Sequence, residues 1–280
     1  MGEATGIQWT EKTWNPIQGC HKISSGCKNC YMFTEKRRYG QDPDRVVRSA
    51  DATFYAPLRK WKEPSLIFTC SWSDWFIEEA DQWRADMWDV IRQTPHHTYQ
   101  ILTKRANRIA ANLPTDWGAG WSNVWLGVSV EDQEQADNRI PHLLSVPAKM
   151  RFLSCEPLLG RVDLGLLGLS NPTTYPFFNC LLGKEEPGTY FRDAKIHWVI
   201  VGGESGSGAR ECRLSWIDSI VRQCTSASVP VFVKQLGAKP TFADSATGES
   251  VAMQIRDKKG GDVLDFPCHF LREMPAAFAV

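Results

Sequence analysis

The chain has 280 residues, 42% of them hydrophobic, with 32 acidic and 32 basic side chains. That length supports one sizeable core and excludes a small disulfide-stapled scaffold. The zero net charge gives no global field toward nucleic acid or membrane, and the expectation is a soluble cytoplasmic protein with no signal peptide and no membrane partner.

A weak strand is predicted over 13–17, and it runs into Gly19-Cys20-His21-Lys22-Ile23-Ser24-Ser25-Gly26-Cys27-Lys28-Asn29-Cys30-Tyr31. The spacing C-x6-C-x2-C sets three thiols in one loop, and a C-x2-C turn aims two sulfurs at one centre. A structural zinc site closes on four ligands. A [4Fe–4S] cluster on three thiolates leaves one iron open to a small chelating molecule, and S-adenosylmethionine chelates through its amino and carboxylate groups. Two other readings of the loop stand beside this one. Zinc would take the three cysteines plus His21, a distant cysteine or His269, or the three would be free buried thiols. The other six cysteines, Cys70, Cys155, Cys180, Cys212, Cys224 and Cys268, read mostly as small core residues.

Next comes a basic stretch: Lys36, Arg37, Arg38, Arg45, Arg48, Arg59, Lys60 and Lys62, interleaved with Tyr39, Tyr55 and Trp61. Such a mixture tracks phosphates and stacks on bases. The plainer reading is a solvated helix face.

From residue 66 onward a theme repeats. A β-rich run ends in small or polar residues, and a helix pattern follows. The runs cover 66–70, 98–102, 123–128, 150–153, 196–201 and 229–233. Helix patterns carry Trp83, Met87 and Ile91, then a short one near 108–113, then Ala136, Ile140, Leu143 and Leu144, and finally Trp216, Ile217, Ile220, Val221 and Cys224. Alternation of this kind requires parallel pairing. The predicted fold is α/β, a partial or complete (β/α) barrel of six to seven parallel strands over 1–237. An insertion is expected near 168–193 and a C-terminal appendage of short strands and coil over 238–280. Ligands of such folds sit at the carboxyl ends of the strands.

Several blocks span nearly the whole chain: Thr13-Trp14-Asn15-Pro16, the cysteine segment with Tyr31, Gln100-Ile101-Leu102-Thr103-Lys104-Arg105, Trp125 to Glu131, Arg151 to Leu158, Val199 to Gly206 and Phe232-Val233-Lys234-Gln235. On these blocks the chain resembles a widespread phage-associated, radical-SAM-like family of bacterial and phage proteins. The resemblance implies a radical S-adenosylmethionine enzyme with a [4Fe–4S] cluster on Cys20, Cys27 and Cys30. It further implies reduction by an external donor such as flavodoxin or ferredoxin and formation of a 5′-deoxyadenosyl radical. The first cysteine gap is longer than the superfamily's usual one, and the aromatic Tyr31 follows the last cysteine instead of preceding it.

Carried over by position, Ser71, Ser73 and Asp74 would receive the amino group of S-adenosylmethionine. Ser129 and Glu131 would meet its ribose or carboxylate, and Gly202, Gly203 and Glu204 would approach the adenine. A tight turn into the next helix equally explains the glycine pair. Lys104, Arg105 and Lys234 are candidates for carboxylate or phosphate binding, and the basic stretch makes a nucleic acid or nucleotide the candidate substrate. The competing classes are a non-catalytic iron–sulfur or zinc protein that binds nucleic acid or a partner protein, and a barrel hydrolase or transferase with structural cysteines.

Overall fold

The structure, a computed structural model, describes residues 5–167, 178–183, 194–244 and 247–276. Its main sheet has seven parallel strands: β1 (Lys12–Trp14), β2 (Leu66–Thr69), β3 (Thr98–Thr103), β4 (Val124–Ser129), β5 (Met150–Cys155), β6 (Trp198–Gly202) and β7 (Val231–Gln235). Each strand neighbours the next in the chain, from β1 at one edge to β7 at the other. The fold is α/β, with the strand order of a partial barrel.

Local sequence explains the elements. All six residues of β4 and all five of β6 are buried, as expected of parallel strands covered on both faces. Helices α1 (Tyr31–Arg38), α2 (Asp81–Gln93), α3 (Gln133–Leu144) and α4 (Leu214–Ser226) join the strands. In α2 the buried face is Arg84, Met87, Trp88, Val90 and Ile91, and in α4 it is Ile217, Ile220, Val221 and Cys224. Both follow helical spacing.

The chain forms two compact units, Met1–Val128 with Ser145–Arg151 and Ser129–Leu144 with Phe152–Val280. The first has an aromatic core. The Trp14 and Trp75 rings lie 5.8 Å apart, Trp75 and Trp88 5.1 Å, and Trp88 and Trp117 5.6 Å, mostly edge to face. This accounts for several of the chain's twelve tryptophans. The second unit is built on aliphatic residues such as Val199, Ile200, Val201, Ile217 and Val233, all buried.

Three expectations need adjusting. The strand expected over 13–17 is two elements, because Pro16 has no N–H for a ladder. Lys12–Trp14 joins the main sheet, while Ile17–Gln18 pairs antiparallel with Val47–Arg48. The short helix expected near 108–113 is a pair of 3-10 turns, Ala106–Arg108 and Ala110–Asn112. The segment after residue 238 does carry short strands. Pro240–Ala243 pairs with Ser250–Ala252 and with Cys212–Arg213, the residues just before α4. Further along, Trp198 donates its indole N–H to the Glu273 carbonyl at 2.9 Å, and the Val231 N–H donates to the Glu273 carboxylate at 3.1 Å. The described tail is thus tied to β6 and β7 within the second unit. Most of the insertion expected near 168–193 lies outside the described residues. No helix among the described residues is long and apolar enough to cross a membrane.

Candidate functional site

In the first unit the three cysteines follow β1 on a loop whose path is set by Gly19. Its φ is +91°, and a Cβ there would sit 2.2 Å from the Arg45 carbonyl oxygen. No other residue type fits that combination. The Cys20 N–H then donates to the Pro43 carbonyl at 3.0 Å. A 3-10 turn, Ser25–Cys27, carries the second cysteine, and Cys30 sits at the N-cap of α1. Cys27 is buried, while Cys20 and Cys30 are half-buried.

The loop that follows β2 is fastened to this one. Gly19 donates its N–H to the Trp72 carbonyl at 3.0 Å, and the Ser73 hydroxyl donates to the Gly19 carbonyl at 2.6 Å. Asn15 accepts from the Ser71 hydroxyl at 3.1 Å and from the Trp72 N–H at 3.0 Å. Beyond Cys30, the Tyr31 hydroxyl donates to the Ser71 carbonyl at 2.5 Å. Ser71, Ser73 and Asp74 therefore lie against the cysteine loop, and both serine hydroxyls are spent on holding it.

Asp74 is buried and fully engaged. Its carboxylate accepts from the Phe76 N–H at 2.9 Å, the Thr103 hydroxyl at 2.6 Å and the Lys104 N–H at 2.9 Å. Arg105, also buried, sets its guanidinium 3.4 Å from Asp74 and 3.8 Å from the Cys20 sulfur, and donates to the His21 carbonyl at 3.3 Å. Arg105 thus turns into the cysteine loop, not toward a ligand carboxylate.

The electrostatics follow from burial. Desolvation, with the Asp74 charge second, pushes the Cys20 thiol up to about 12, and Arg105 opposes the shift. Burial also raises Cys30, against the Met32 and Phe33 N–H groups and the Lys104 charge. A charge on Cys27 would raise both thiols. Thiols held neutral in this way release protons when metal binds.

Among the described residues, no three His, Cys, Asp or Glu side chains are grouped so as to hold a metal ion. The donor chemistry nonetheless fits an iron–sulfur cluster. Three thiols lie on one loop, none is in a disulfide, and a guanidinium is already bonded to one sulfur. The histidines considered as zinc ligands are both engaged by carboxylates. His21 Nε2 lies 2.5 Å from Glu79, and His269 Nε2 lies 2.5 Å from Asp218.

Sequence reasoning gave no site role to Asn15 or Gly19 and read Cys70 as a core residue. Asn15-Pro16 and then Gly19 mark a turn before the first cysteine, which was their available signal. Cys70 ends β2 with a left-handed φ of 56°, rare for a residue with a side chain. Burial raises its thiol pKa, and a charge on Cys20 would raise it further.

The second unit holds the other candidates at its own strand ends. Glu131 is wholly buried and accepts from Arg139 at 2.8 Å, and the same guanidinium donates to the Ser129 carbonyl at 2.9 Å. Glu204 accepts from Arg210 at 2.8 Å, 2.9 Å and 3.0 Å. Lys234 is bound to Glu156 at 2.6 Å. The Gly202 and Gly203 pair has an explanation within the chain. A Cβ at Gly203 would lie 2.3 Å from the Leu236 carbonyl, and one at Gly202 3.1 Å from the Gln235 carbonyl. Cys155 and Cys224 are fully buried core thiols.

The basic stretch is only partly free. Lys36 is buried, Arg48 stacks 4.0 Å from the Phe54 ring, and both Arg48 and Arg59 cover Tyr55. Arg37, Arg38, Tyr39, Arg45, Lys60 and Lys62 are exposed.

No curated protein and no solved structure matches the chain. A family model described as "Protein of unknown function (DUF5131)" matches residues 4–274, so the chain belongs to that family.

Proposed function

We propose that this protein is a radical S-adenosylmethionine enzyme of the cytoplasm whose [4Fe–4S] cluster is held by Cys20, Cys27 and Cys30. The observation that carries the reading is the interlock of the three-thiol loop with residues 71–74 through Gly19, Asn15 and Tyr31. All nine cysteines are free, which suits a reducing compartment. When bound, the cluster would supply one electron, received from a donor such as flavodoxin or ferredoxin, for cleavage of the C5′–S bond of S-adenosylmethionine into methionine and a 5′-deoxyadenosyl radical.

The chain's own residues would do the rest. The three sulfurs would hold the cluster, and the backbone of residues 71–74, fixed by its side-chain bonds, would receive the amino group of S-adenosylmethionine. At the second unit's own strand ends, Arg139 holds the Glu131 carboxylate and Arg210 that of Glu204, beside Ser129, Gly202 and Gly203. The exposed Arg37, Arg38 and Arg45, with Tyr39, favour a nucleic acid or nucleotide as substrate. The test is anaerobic reconstitution followed by dithionite and S-adenosylmethionine. Release of 5′-deoxyadenosine supports the reading, and intact S-adenosylmethionine with a fully loaded cluster refutes it.

One observation favours a second reading, a non-catalytic zinc or iron–sulfur protein that binds nucleic acid or a partner. Cys70 opens the loop that is bonded to Gly19 through Trp72, and four thiolates would close the site. Loss of metal in Cys70→Ala supports that alternative.

A further inference from the structure

We propose that Arg105 is a positioning residue that sets the reduction potential of the cluster through Cys20, with Asp74 as its counterweight. The inference deepens the cluster reading and rests on it.

Arg105 is a charged side chain buried to 6% exposure, which needs a reason. It pairs with the Asp74 carboxylate and, at 3.7 Å, with that of Glu78, and it also reaches a thiol. The guanidinium sits between a carboxylate and a thiol sulfur, 3.4 Å from Asp74 and 3.8 Å from Cys20, and a second arm reaches the His21 carbonyl at 3.3 Å. Only a planar fork makes these contacts together. The fork is also held from behind. The Arg105 N–H donates to the Thr103 hydroxyl at 2.9 Å, and that hydroxyl donates to Asp74 at 2.6 Å. Thr103, Asp74 and Arg105 are therefore one bonded unit aimed at the first cysteine.

The consequence is electrostatic. Reduction adds a negative charge to the cluster and its thiolates. A buried cation bonded to one sulfur stabilises the reduced form and raises the potential, and a buried anion does the opposite. Arg105 and Asp74 carry opposite charges, so their effects oppose each other. A role confined to packing would give no such opposition.

The test is a redox titration of the reconstituted protein without S-adenosylmethionine, followed by the electron paramagnetic resonance signal of the reduced cluster. Arg105→Gln is expected to shift the midpoint potential to more negative values and Asp74→Asn to more positive ones. Arg105→Lys keeps the charge and is expected to restore part of the shift. Shifts of the same sign in Arg105→Gln and Asp74→Asn, or no shift in Arg105→Gln at full iron loading, overturn the proposal. A variant that loads too little iron is replaced by Thr103→Val, which loosens the fork and is expected to move the potential in the Arg105→Gln direction. Absence of a cluster in the parent protein overturns the cluster reading itself, and that result is separate from an unchanged potential.

Discussion

The Ser73 hydroxyl donates to the Gly19 carbonyl at 2.6 Å, binding the loop after β2 to the residue just before the first cysteine. Gly19 in turn has no room for a side chain, with the Arg45 carbonyl 2.2 Å from where its Cβ would be. The geometry of the cysteine loop thus depends on a residue that carries no thiol.

Gly19→Ala is expected to distort that loop. A left-handed non-glycine residue costs about 1–3 kcal/mol even before the clash with Arg45. Iron per chain after anaerobic reconstitution should fall to a small fraction of the parent's, with a lower unfolding midpoint. Equal loading and equal stability would show that the loop does not depend on Gly19.

The ligand assignment predicts a pattern across the cysteines. Replacing Cys20, Cys27 or Cys30 with Ala should abolish cluster binding, as read by iron and sulfide content and visible absorbance. Cys224→Ala, in the buried face of α4, should load like the parent. Full loading in Cys27→Ala would remove the assignment.

Exposed basic groups near the cysteine loop predict salt-dependent binding of nucleic acid. Changing both Arg37 and Arg38 to Glu should weaken binding about tenfold or more at low salt. It should also reduce the slope of log K against log salt by about one for each lost phosphate contact. Binding that is absent in the parent, or unchanged in the double variant, removes nucleic acid as the substrate class favoured by this surface.

His97 gives a pH dependence of stability. Burial, with the neighbouring His96 second, lowers its pKa from 6.5 to about 4, and its Nε2 lies 3.1 Å from the Trp61 carbonyl. The imidazole is neutral in the fold, so between these two values the unfolded chain binds a proton that the folded chain does not. The contribution of His97 is fully present above pH 6.5 and is lost progressively as pH drops toward 4. Urea midpoints followed by tryptophan fluorescence should show the decline in the parent and a flatter profile in His97→Gln. Identical profiles would mean that another group carries the acid sensitivity.

Much of the fold was legible because parallel strands buried on both faces announce themselves. The runs over 123–128 and 196–201 became β4 and β6 with ends moved by one or two residues. The pattern near 108–113 misled because Ile109 alone is deeply buried there, and turns satisfy so short an apolar contact. In the site, the cysteine spacing and the polar loop after β2 could be read directly. The role of Arg105 could not, because its meaning comes from a contact with Cys20 across 85 positions of sequence. The glycine pair at 202 and 203 shows the reverse case. A ligand was one reading of it, and the backbone of residues 235–237 supplies a sufficient reason.

The central claim is that three protein sulfurs leave one iron of the cluster open to S-adenosylmethionine. Electron paramagnetic resonance of the reduced, reconstituted protein, with and without S-adenosylmethionine, addresses it most directly. The account predicts a [4Fe–4S] signal whose g values change on addition of S-adenosylmethionine. A signal that S-adenosylmethionine leaves unaltered, or a protein that takes up zinc and no iron, would contradict it.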